Sequence, residues 1–99
     1  MSDAIEGVRL HKAAAEFRLR AIESQLSLGL TLCKIAETQI RYSRRDEAIE
    51  VVNKLRHHAE TIRFHIEEPN HLPKIAVPGV RKRLEQLDKR TDEIESPLR

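Results

Sequence analysis

Apolar residues recur every seven positions through the first forty residues. Positions 5, 12, 19, 26, 33 and 40 are Ile, Lys, Leu, Leu, Cys and Ile, and positions 8, 15, 22, 29 and 36 are Val, Ala, Ile, Gly and Ala. A seven-residue apolar repeat held for five turns is the seam of a long helix packed against other helices, with Lys12 as its polar exception. Ala15, Gly29 and Ala36 keep the second row small, which lets a neighbouring helix approach closely. Leu26, Leu28, Leu30 and Leu32 alternate with Ser27, Gly29 and Thr31, a period of two that suits a strand. The flanking Ala- and Glu-rich pattern carries no turn signal and decides for helix over residues 3–42. Those leucines then spread over more than one face, so the middle of the first helix is expected to be covered from two sides.

Tyr42-Ser43-Arg44-Arg45-Asp46 is the first break, and Ser43 with Asp46 has the spacing of a capping box. After it Ala48, Val52, Leu55, Ala59, Ile62 and Ile66 fall at alternating intervals of four and three, which predicts an amphipathic helix over 44–68. Pro69, Pro73 and Pro78, with Gly79, define a stiff, largely extended connector over 69–79, whose Leu72, Ile75 and Val77 are expected to pack on a helix. A third helix over 79–95 places Val80, Leu84, Leu87 and Ile94 on one stripe. At 1.5 Å per residue the three helices measure about 60, 35 and 25 Å. The second helix can therefore cover only the C-terminal part of the first, and the connector is expected to deliver the third to the N-terminal part, around Val8 to Leu19. The fold class is all-α: a long helix and an antiparallel second helix form a hairpin, a shorter third helix follows a proline-rich connector, and dimerisation completes the bundle. A kink near Ser24–Gly29, giving a compact four-helix monomer, is the competing arrangement.

Composition narrows the class further. Ninety-nine residues make one domain, 39% of them apolar, with only Phe17, Tyr42 and Phe64 as aromatics. Such a core is built from Leu, Ile, Val and Ala, which suits helix-on-helix packing. Net charge is +2, with eight Lys/Arg against seven Asp/Glu over 1–49 and ten against nine over 50–99. Interleaved charge of this kind reads as a solvated surface rather than a polyanion-binding face, so nucleic acid is not the expected partner. A lone cysteine excludes an internal disulfide and fits a reducing compartment. With no basic-then-apolar leader and no long apolar run, a cytoplasmic protein without a membrane partner is expected.

Candidate chemistry is sparse. His57, His58, His65 and His71 cluster late in the chain, but His58 and His65 stand two helical turns apart, too far for one ion, and no metal or cofactor is expected. Arg81-Lys82-Arg83 opens the third helix, where cations oppose the helix dipole and could instead hold an anion against free backbone amides. Cys33 lies in an apolar row and reads as a buried structural thiol. With no nucleophile–base grouping and no phosphate loop, no enzyme is indicated. The residues expected at the helix interface are Leu19, Leu26, Gly29, Cys33, Ala36 and Ile40, and the expected function is a non-catalytic, self-associating interaction module, a homodimer. The alternative is a small nucleic-acid- or anion-binding accessory protein acting through Arg81, Lys82 and Arg83.

Overall fold

A computed structural model of the chain describes the backbone of residues 2–99 and the side chains of residues 9–99. Three helices account for nearly all of it: α1 (Ser2–Arg41), α2 (Arg45–Glu67) and α3 (Val77–Glu95), followed by a short 3-10 turn at Ser96–Leu98. No strand occurs among the described residues, so the protein is all-α. The leucine-rich middle of α1 is helical and unbroken through Ser24–Gly29, which removes the kinked arrangement.

The turn between α1 and α2 is built differently from the capping box that its sequence suggests. Ser43 takes the left-handed conformation, with φ 60°. Its N–H donates to the Ile40 carbonyl at 3.0 Å and that of Arg44 to Gln39 at 2.7 Å. That pair of bonds closes the C-terminus of α1, with Ser43 where glycine usually stands. Arg44 then precedes α2 and makes no side-chain capping bond. Ser43 ends the first helix rather than starting the second.

The predicted stripes become the core. Ala48, Val52, Leu55, Ala59, Ile62 and Ile66 of α2 are buried, as are Val80, Leu84, Leu87 and Ile94 of α3, against Ile22, Leu26, Cys33 and Ala36 of α1. Thr91 completes the α3 stripe, because its hydroxyl donates to the Leu87 carbonyl at 2.8 Å and so needs no outside partner. Between the helices, Arg56 pairs with Asp92 at 2.5 Å and Glu95 at 3.4 Å, and Arg63 with Asp88 at 2.6 Å. These pairings set α2 and α3 antiparallel. Arg90 reaches Glu37 of α1 at 3.1 Å, and Leu87 lies against Gly29, so α3 runs alongside the C-terminal half of α1.

Two expectations about the third helix change. It begins at Val77 rather than Gly79, because proline is well accommodated in the first turn, where its missing N–H has no partner to lose. The intervening segment, 68–76, folds into turns instead of an extended strap: His71 N–H donates to Glu68 at 3.3 Å and Ala76 N–H to Pro73 at 3.0 Å. Being compact, it returns α3 beside the same part of α1 that α2 covers, with Ala76 and Val80 next to Leu19 and Glu23. Leu72 is buried and Val77 packs on the core, whereas Ile75 is 93% exposed. Residues 9–14 of α1 are all exposed. The molecule is a three-helix bundle in which α1 runs past the ends of α2 and α3, with residues 9–14 uncovered. Its extents of 63 × 18 × 15 Å follow the length of α1.

Candidate interaction surface

The six residues expected at the helix interface are brought together by the fold. Leu26, Gly29, Cys33 and Ala36 are buried, and Leu19 and Ile40 are partly buried against the same core. They face α2 and α3 of their own chain. The space beside Gly29 is filled by Leu87, which would stand 2.8 Å from an added Cβ. Between Ile22 and Ala36 the buried positions of this face are filled by the chain's own helices. Ile5 and Val8, the start of the same seam, lie outside the residues whose side chains are described.

A second row runs along the opposite side of α1. Leu10, Ala14, Phe17, Ala21, Ser24, Leu28, Thr31, Ile35, Thr38 and Tyr42 alternate at intervals of four and three, and every one is exposed. At 3.6 residues per turn this spacing keeps them on one slowly drifting stripe, the geometry of a two-stranded coiled-coil seam. Phe17 is 73% exposed, Leu10 71% and Tyr42 70%. Large exposed apolar groups aligned on one stripe stand apart from single scattered ones, which are ordinary on a protein surface. The sequence holds this signal in the same period of seven, but Ala, Ser and Thr at half the positions dilute it beside the richer inner seam.

The base of the projecting segment carries the most unusual electrostatics. His65 near the end of α2 and His71 of the following turns stand with ring centroids 5.2 Å apart, and Phe64 packs edge-on to both. Burial pushes the His65 pKa below its ordinary value, and the nearby His71 and Arg18 push in the same direction. His65 Nδ1 and Arg18 Nη1 are both shielded from solvent with no hydrogen-bond partner among the described residues. His57 is exposed and lies elsewhere on α2, and no grouping of three or more metal-binding side chains occurs among the described residues.

Arg81 and Arg83, in the basic run at the start of α3, do not converge. Arg81 lines a groove with Arg63, Glu67, Glu85 and Asp88, whereas Arg83 lies on the α1 side beside Leu26, Leu30 and Leu87. Because α3 starts two residues early, the Val80 N–H already donates to Ala76 at 3.1 Å. Arg81, Lys82 and Arg83 therefore follow the free amides instead of crowning them. A groove of about 520 Å³ lies between α1 and α3 and is bridged by the Arg90–Glu37 pair over Ile40 and Ile94. Cys33 is fully buried, and burial raises its thiol pKa, opposed by Arg90 and a hydrogen bond with Thr91. It lacks the exposure of a reactive thiolate. Among the described residues, no helix is long and apolar enough to cross a membrane.

No family model matches this chain, and neither the curated proteins nor the solved structures contain a similar one.

Proposed function

We propose that this protein is a non-catalytic assembly module that associates with itself through the outward face of α1. The observation that carries the reading is the exposed four-three row from Leu10 to Tyr42, laid along a helix whose other side, from Ala15 onward, packs within its own bundle. A helix held rigid by α2 and α3 offers that row without having to fold on binding, which removes much of the ordering cost of association. The single buried thiol suits a module working in a reducing, cytoplasmic setting. Binding of an anion or nucleic acid through Arg81, Lys82 and Arg83 has less support, because Arg81 and Arg83 line different grooves and acids share that of Arg81.

Molecular mass in solution, measured by light scattering over a dilution series, tests the proposal. The expected result is a dimer that dissociates in the micromolar range, at about −8 kcal/mol, since Ser24, Thr31 and Thr38 weaken the seam. Phe17→Glu combined with Ile35→Glu is expected to give a folded monomer, because both side chains are exposed and neither belongs to the core. A wild-type protein that stays monomeric at millimolar concentration, or a dimer indifferent to these substitutions, overturns the proposal.

A further inference from the structure

Resting on the self-association reading, we infer that the second copy lies parallel and in register along α1, so that Leu10, Phe17, Leu28, Ile35 and Tyr42 each meet their own counterpart. The bundle leaves this arrangement open: α2 and α3 occupy the inner side of α1, so two copies meeting on the outer side keep their bundles apart. The charges on the two edges of the row then choose the direction. One edge carries Ala13, Arg20, Ser27, Lys34 and Arg41, and the other carries His11, Arg18, Gln25, Leu32 and Gln39.

In a parallel pair each residue of the first edge meets the residue five positions later on the second edge of the other copy. Arg20 then faces Gln25 and Lys34 faces Gln39, two cation–amide pairs with no like charge opposed. The amide oxygens of Gln25 and Gln39 are turned inward, shielded from solvent and without a partner in the described chain, and because their terminal torsions are soft a turn of the amide brings each oxygen out to the facing cation. An antiparallel pair of full length, with Leu10 opposite Tyr42, pairs the first edge with itself and sets Arg20 against Lys34 twice. Sliding by seven residues removes that repulsion, but leaves Tyr42 outside the contact. Parallel pairing alone uses the whole row without opposing like charges. The two projecting segments then leave the same end side by side, as a two-stranded tip.

Disulfide trapping tests the direction. Thr38 is exposed and lies in the row, and the native Cys33 is buried and does not compete. Mild oxidation of Thr38→Cys is expected to give a covalent dimer joined 38-to-38. An antiparallel pair keeps the two copies of residue 38 about 35 Å apart, so it gives none. Mixing Thr38→Cys with Ala14→Cys provides the opposite arm, since a 14-to-38 cross-link forms only in the antiparallel pair of full length. Arg20→Glu adds a reading free of new thiols: the parallel dimer changes by no more than about twofold, whereas the antiparallel one of full length tightens at least about fivefold. A 14-to-38 cross-link, a tightened Arg20→Glu dimer, or a dimer with no 38-to-38 product overturns the direction and leaves self-association standing. A monomer at every concentration overturns self-association itself.

Discussion

Ser43 holds a backbone conformation that costs an L-residue about 1–2 kcal/mol, and it holds it because Ile40 and Gln39 need their carbonyls closed at the end of α1. Glycine at this position removes the strain but adds about 0.5–1 kcal/mol of unfolded-chain entropy. Ser43→Gly is therefore expected to stabilise the protein by about 0.5–1 kcal/mol, a rise of roughly 2–8 °C in melting temperature, read from thermal unfolding. Gly29 presents the reverse case. Its missing side chain admits the methyls of Leu87 to within 2.8 Å of where a Cβ would stand. Gly29→Leu is expected to destabilise by about 1–3 kcal/mol through overpacking, with the mass in solution unchanged because Gly29 faces its own chain. A shift in mass on this substitution would place Gly29 at an intermolecular contact. In the sequence both positions showed only half of their roles: the small row around Gly29 announced close approach, but nothing in a run of letters says whose helix approaches. Ser43 matched a start signal, and the carbonyls of the preceding turn made it a stop instead.

At the scale of elements, the α2 and α3 stripes were legible because burial repeats with the helical period, and a one-residue slip would move every apolar group off the core face. The segment between them was not. Proline disfavours helix at the preceding residue and fixes one torsion, but whether the chain between prolines extends or folds back depends on where Leu72 finds a core to enter. The turns of 68–76 bring His71 against His65, and that contact has a consequence for stability. His65 is harder to protonate in the folded chain than in the unfolded one, owing first to burial, then to His71 and to Arg18. The unfolded state therefore takes up more protons below the ordinary histidine value of 6.5, and stability falls as the pH drops through that value toward the depressed folded one. His65→Gln is expected to flatten this fall when denaturant midpoints are compared between about pH 7 and pH 5. An equal slope in the variant would remove His65 as its source.

For the whole molecule, the decisive quantity is the length of α1 relative to its partners. Forty residues of helix stand against 23 in α2 and 19 in α3, so two shorter helices laid side by side along its C-terminal part leave its N-terminal end beyond them. The sequence by itself determined the all-α class, the helix count, the core stripes of α2 and α3 and the excess length of α1, because each of these follows from local periodicity and from 1.5 Å of rise per residue. Only the tertiary structure decided which part of α1 is covered. The compact turns of 68–76 return α3 beside the half already lined by α2, which closes the inner seam around Leu26, Cys33 and Ala36. The outer row from Leu10 to Tyr42 is left in solvent. Periodicity records that a helix has two apolar sides; which of them its own chain reaches is fixed by the path of the connecting segments, and that path is set by contacts between residues far apart in sequence.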